Sequence, residues 1–197
     1  MGTNGIRLFI YGIAIVASVY VFCCIRHKRI LKIEPKMAIF YISSLVMIGA
    51  LSELFCDTVY VHLFHERLWY YRFLPIHHAY TSQYSPVVWG AMGLYLYFMH
   101  RNYEKWNPRQ LIYLSAFFAV ETVIMEGTAV GFSRLFLGNY IFYYNPGNLF
   151  HVTSLQSLPF FFLVGVLTLL ILRLFKTQPI LFAAVSAYVT SIVLFFK

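Results

Sequence analysis

The chain has 197 residues, 60% hydrophobic, 20% aromatic and only 11% charged, with a formal net charge of +8. Soluble domains carry roughly 25% charged residues, so this composition speaks against a water-soluble globular fold and leaves no polar stretch long enough for a second domain; residues 1–197 read as a single integral membrane domain. The basic residues are spread between apolar runs, with no basic domain to carry nucleic-acid binding.

Apolar runs of about 20 residues cross a bilayer as helices. They predict an all-α, polytopic fold of about six spans (five to seven): Leu8–Ile25, Met37–Asp57, Tyr80–His100, Gln110–Phe132, Ser154–Phe175 and Pro179–Phe196. The first is too long for a cleavable signal peptide and is followed by a basic run, so it is expected to be retained. Two aromatic stretches, Leu63–Tyr71 and Phe132–Tyr144, are too short or too polar to span and are expected to be interfacial or re-entrant.

Charge predicts the orientation. Alternate connections hold Arg26, Lys28, Arg29, Lys32 and Lys36, then Arg101, Lys105 and Arg109, then Arg173 and Lys176, ten of the 15 basic residues. The positive-inside rule places these in the cytoplasm and both termini on the opposite, outer side. Cys23 and Cys24 close the first span and Cys56 lies in the second; no spacing suggests a disulfide framework or a Cys-x-x-Cys metal pattern.

The sequence matches itself weakly at one displacement. The shift that carries Glu53 to Glu126 also sets Trp69-Tyr70-Tyr71 on Phe142-Tyr143-Tyr144, His78 on His151, Gln83 on Gln156 and Pro86 on Pro159. The matches are polar, aromatic or proline, and they suggest a weak two-helix tandem repeat with units 37–100 and 110–175. Two spans per unit make the copies parallel, related by an axis along the membrane normal, with a site expected between them.

Four of the seven acids fall within predicted spans: Glu53, Asp57, Glu121 and Glu126. An intramembrane carboxylate costs on the order of 3 kcal/mol and marks a functional site by default. Glu53 and Asp57, four apart, share a helix face. Glu121 and Glu126, five apart, lie roughly 140° around the helix from each other. The repeat therefore singles out Glu53 and Glu126 as the pair converging on an outer-side cavity, with Asp57 and Glu121 as supporting acids. Dry surroundings disfavour charge, so one of two neighbouring carboxyls is suited to donate a proton and the other, ionised, to accept one or stabilise a cation.

Trp69, Tyr70, Tyr143 and Trp89 fall near these acids, where aromatic faces could hold a cation; His78, His151, Gln83 and Gln156 complete the predicted substrate lining. A proton donor, π-faces and a base are the needs of carbocation chemistry on an isoprenoid or sterol. His62, His65, His77, His78 and His151, with the outer acids, offer a metal site as the rival reading. The histidine boxes of membrane desaturases are absent, and neither a metal nor another cofactor is expected.

Glu53 on a span, the aromatic turn Leu68-Trp69-Tyr70-Tyr71, and Ser85-Pro86-Val87-Val88-Trp89 leading the next span together resemble small membrane-bound isoprenoid enzymes, the meroterpenoid terpene cyclases and the carotenoid (lycopene) cyclases. The resemblance covers about residues 49–165 and implies membrane-embedded acids that protonate an epoxide or olefin, with Glu53 as the first acid. The sequence departs from these families in two respects. The Pro-x-Glu-Glu of lycopene cyclases is replaced by Pro75-Ile76-His77-His78, and the last two spans lack the late acid of the terpene cyclases. A second similarity is to emopamil-binding-type sterol isomerases. The expected activity is thus a non-redox cyclase or isomerase acting on a lipophilic isoprenoid or sterol-like substrate taken from membrane lipid. A proton-coupled small-molecule transporter or lipid-binding protein, and an assembly subunit pairing its acids with a partner, are the alternatives from other classes.

Overall fold

A computed structural model describes residues 3–100 and 107–195; Arg101 and Lys105 of the second basic connection, its Glu104, and Phe196 and Lys197 lie outside them. The described residues are mostly helical, with six α-helices among them: α1 (Thr3–Arg26), α2 (Pro35–Phe64), α3 (Ser85–His100), α4 (Pro108–Leu137), α5 (Leu158–Leu174) and α6 (Pro179–Phe195). Four segments are long and apolar enough to cross a membrane: Gly5–Arg26, Pro35–Phe64, Pro108–Leu137 and Leu155–Leu174. The last takes in a 3-10 turn ahead of α5. These suggest a multi-pass integral membrane protein. Helices α3 and α6 are shorter, 16 and 17 residues.

The structure departs from an all-helical reading at the two aromatic stretches. Helix α2 runs past Asp57 to Phe64 and α4 past Phe132 to Leu137, each 30 residues or about 45 Å. Left-handed residues end them, His65 at φ 59° and Gly138 at φ 73°, because a positive φ turns the chain out of the helix. Beyond these caps the alternating aromatic runs suit strands. Four short strands form: β1 (Trp69–Tyr71), β2 (Pro75–Ile76), β3 (Thr81–Ser82) and β4 (Phe142–Tyr144). The predicted third span accordingly starts at Ser85, since residues 75–82 are used in pairing β2 with β3. His100, the last residue of α3, is buried and hydrogen-bonded to Tyr41.

Element bounds recur along the chain. Helices α2 and α4 both open on proline, which suits the first helical turn. The displacement from Glu53 to Glu126 also carries both bounds of α2, Pro35 and Phe64, onto those of α4, Pro108 and Leu137. Strands β1 and β4 pair antiparallel, Trp69 with Tyr144, Tyr70 with Tyr143 and Tyr71 with Phe142. The central pair, Tyr70 and Tyr143, is related by that same displacement, so exchanging the two strands maps the ribbon onto itself. After the strands the displacement is shorter by a single position. Left-handed turns form at His77-His78-Ala79 and at Leu149-Phe150-His151, all with φ between 50° and 68°. Such backbone in non-glycine residues costs roughly 1–2 kcal/mol each.

Two glycines let helices approach closely. A Cβ on Gly93 would lie 2.7 Å from Ile42 Cα, at the α2–α3 crossing. A Cβ on Gly165 would lie 3.2 Å from Ser115 Cα, at the α4–α5 crossing. Helix α1 rests on α3 and α4, and α6 rests chiefly on α2. Outward-facing residues such as Phe9, Ile13, Ile124, Leu135, Leu181 and Val185 are exposed, an apolar surface that a bilayer would cover. Gly93→Leu should therefore destabilise the protein by about 1–3 kcal/mol through overpacking, read as a lower unfolding midpoint in detergent. Gly131→Ala, whose new Cβ meets nothing within 4 Å, should not lower it.

Candidate functional site

Glu53 lies past the midpoint of α2, about 27 Å along its axis from Pro35. It is 3% exposed. Tyr71 Oη and Trp89 Nε1 donate to its Oε1, the latter at 2.8 Å. Thr81 Oγ1 and Ser85 Oγ donate to Oε2, the latter at 3.0 Å. An ionised carboxylate has about four acceptor sites, so Glu53 is saturated by four separate donors from β1, β3 and α3.

Glu126 holds the corresponding place in α4 and is 7% exposed. Tyr144 Oη lies 3.0 Å from both of its oxygens and Thr153 Oγ1 donates to Oε2 at 2.7 Å. Tyr144 carries a single phenolic proton, so Glu126 receives two donors where Glu53 receives four. The side chains at matching positions show why. At the shortened displacement Thr153, Ser157 and Phe161 answer to Thr81, Ser85 and Trp89. Ser157 Oγ donates instead to the Ser154 carbonyl at 2.6 Å, and phenylalanine has no N–H.

The two carboxylates face one cavity. Its lining includes Glu53, Glu126, Trp69, Tyr71, Trp89, Phe142, Tyr144, Phe160 and Phe161, and an adjoining lobe reaches Thr122, Met92 and Val88. The lobes measure about 10 and about 20 Å³, each near the space of one water. The aromatics pack edge-on or tilted, as between Trp89 and Phe160, 6.0 Å apart at 78°, and between Trp69 and Phe160, 5.4 Å apart at 37°.

Other expected site residues lie elsewhere. Asp57 is fully buried one turn beyond Glu53, and its Oδ1 accepts from the Leu68 N–H at 2.9 Å; it anchors the turn into β1 and does not line the cavity. Glu121 pairs with Arg26 of α1 at 2.7 and 3.0 Å. Trp69 and Trp89 line the cavity, but Tyr70 and Tyr143 do not. They stack on the ribbon's other face, rings 5.3 Å apart and 14° from parallel, with Arg67 over Tyr70 and Arg72 over Tyr143. Strand alternation is the reason: side chains at i and i+2 share a face, so Tyr71 and Phe142 turn inward where Tyr70 and Tyr143 turn outward.

His78 is exposed, and its carbonyl accepts from Arg67. His151 is exposed, with Nδ1 2.7 Å from the Tyr144 carbonyl oxygen. Gln83 is exposed, and Gln156 accepts from Asn148 at 2.6 Å. Among the described residues, no group of three or more His, Cys, Asp or Glu is placed to hold a metal ion. Sequence reasoning missed Tyr71, Tyr144, Thr81, Thr153 and Ser85. The tyrosines sit in aromatic runs of three residues, too short to fix which ring turns inward, and the hydroxyls reach the carboxylates through the tertiary fold.

No family model matches the chain, and no curated protein or solved structure does so either.

Two expectations follow from the hydrogen bonds. Trp89→Phe removes one donor from a saturated buried carboxylate and should cost about 1–3 kcal/mol, measured as a lower unfolding midpoint, with Phe161→Leu as a packing control. Burial, and after it the adjacent Glu53, holds the Tyr71 phenol well above the usual tyrosine range; burial and then Glu126 do the same for Tyr144. In the unfolded chain both phenols ionise near pH 10, while in the folded protein they stay protonated. Their stabilising contribution is therefore complete below about pH 10 and is lost as pH rises above it. Tyr71→Phe and Tyr144→Phe should remove no tyrosinate absorbance from the native protein at about pH 10.5, and the unfolding midpoint should fall more steeply with alkali in wild type than in either variant.

Proposed function

We propose that this protein is a six-span integral membrane enzyme built from two tandem units, which uses Glu126 as proton donor and Glu53 as ionised counter-charge and base in carbocation chemistry on an isoprenoid or related lipophile. Cyclisation is the favoured reaction and double-bond isomerisation of a sterol-like substrate the alternative. One observation carries the reading. Two buried carboxylates at matching positions meet in a single aromatic-lined cavity with unequal hydrogen-bond supply.

With all four acceptor sites filled, Glu53 is suited to remain a carboxylate. Glu126 has acceptor capacity to spare, so a proton fits there without displacing a donor. Such a division of two acids by environment is how one site provides both proton donor and base. Protonation of an olefin or epoxide by Glu126 would place positive charge among Trp69, Trp89, Phe160 and Phe161, whose ring faces stabilise cations. Loss of a proton to Glu53, with one of its four donors giving way, then ends the reaction. The recurrence of α2 and α4, the self-mapping ribbon and the paired glycine crossings support two parallel units about an axis along the membrane normal. The concentration of basic residues on alternate connections supports termini on the non-cytoplasmic side.

The lobes hold about one water each, so a lipophile reaches the acids only when the aromatic wall parts. The β1–β4 ribbon supplies four inward rings of that wall, so its displacement would open the cavity and would release Tyr71 and Tyr144 from the two acids. Purified protein in lipid nanodiscs, offered prenylated or epoxidised lipids, should yield an isomeric product of unchanged mass. Glu126→Gln should lower turnover by roughly 10²–10⁴-fold, the usual weight of a general acid, and Glu53→Gln should do likewise. Full turnover in both variants would overturn the assignment. Flux of an unchanged solute driven by a pH gradient would point instead to a carrier.

A further inference from the structure

Comparing the two units position by position shows a place where they differ in kind. In the first, Gly49 leaves room for the Trp89 indole; a Cβ there would lie 2.2 Å from Trp89 Cδ2. That ring fills the space and donates Nε1–H to Glu53. In the second unit Thr122, one turn before Glu126, holds the place that Gly49 holds before Glu53, and Phe161 holds that of Trp89. Phenylalanine is shorter than the indole and donates nothing, while threonine adds a hydroxyl. The lobe of about 20 Å³ is lined by Thr122, Glu126, Glu53 and Phe161. Thr122 is 2% exposed, and its Oγ1 has no hydrogen-bond partner among the described residues.

We infer that this lobe is a binding site for one water molecule, which donates to Glu126 where the Trp89 N–H donates to Glu53, and through which the proton of Glu126 is replaced. The volume suits one water. A buried water makes two to four hydrogen bonds, and the lobe offers the Thr122 hydroxyl and the under-supplied Glu126 carboxylate. A bare cation fits poorly, because hard cations take about six oxygen ligands and the acceptor sites of Glu53 are already occupied. The water's occupancy follows from the geometry; its role in reprotonation rests on the acid–base reading above. After Glu126 gives its proton to substrate and Glu53 takes one from the resulting cation, the water in this lobe, which both carboxyls line, accepts the proton of Glu53 as it passes one to Glu126, so both acids are reset with no net proton consumed.

Infrared difference spectroscopy on nanodisc-embedded protein, comparing H₂¹⁶O with H₂¹⁸O, tests the site. Wild type should show an isotope-sensitive O–H stretch from a buried water. Thr122→Val, which keeps the shape and removes the hydroxyl, should shift or lose it. The double variant Thr122→Gly with Phe161→Trp rebuilds the first unit's arrangement and should abolish it, with helical circular dichroism retained. Should the double variant fail to fold, Thr122→Val decides alone. Absence of the band in wild type, or an unchanged band in a folded variant, overturns the site. The two readings fail separately. A band absent from wild type with Glu126→Gln inactive removes the water and keeps the acid, whereas a band present in wild type with Glu126→Gln fully active keeps the water and removes the acid.

Discussion

Burying two carboxylates among aromatic and aliphatic side chains is the constraint around which this protein is organised. An uncompensated charge in such surroundings is far more costly than any single packing gain. The chain meets this cost with donors drawn from distant segments. Glu53 on α2 is reached by Tyr71 from β1, Thr81 from β3, and Ser85 and Trp89 from α3. These segments must hold their places for the carboxylate to be tolerated. The carboxylate in turn links α2, the ribbon and α3 into one unit.

The surroundings of Glu126 keep the plan and relax it. Tyr144 and Thr153 repeat the roles of Tyr71 and Thr81, while Ser157 turns to the backbone and Phe161 replaces the indole. Matching positions with unmatched chemistry give two acids with different hydrogen-bond supply inside one cavity. The left-handed turns at 77–79 and 149–151 belong to the same economy. Each is an unfavourable backbone stretch, found just before a threonine that faces its glutamate. Strain at recurring positions is sustained where surrounding contacts over-determine it, and the buried threonine-to-carboxylate bonds are such contacts.

Asp57 and Glu121 show that intramembrane position alone does not make an acid part of a site. Asp57 is on the same helix face as Glu53 but one turn further out, where the chain reverses into β1; it receives the Leu68 N–H. Glu121 is turned by about 140° from Glu126 and meets Arg26 between α1 and α4. Glu121 is balanced by that ion pair, the ordinary way a protein retains a buried charge, whereas Asp57 keeps one oxygen, Oδ2, without a hydrogen-bond partner among the described residues.

The sequence by itself determined the apolar helical character, and its order of side chains singled out Glu53 with Glu126 and set Trp69 and Trp89 near them. These depend on hydropathy and on side-chain order, which are properties of the linear chain. It misplaced Tyr70 and Tyr143, because a short aromatic run between helices carries too few residues to declare a period of two. Only the tertiary structure decided which tyrosine of each triplet turns inward, and which hydroxyls close on each carboxylate. It also decided that Glu126 receives two donors where Glu53 receives four. Those outcomes depend on the pairing of β1 with the distant β4 and on helix crossings at Gly93 and Gly165, and long-range contacts of that kind leave no local pattern in the sequence.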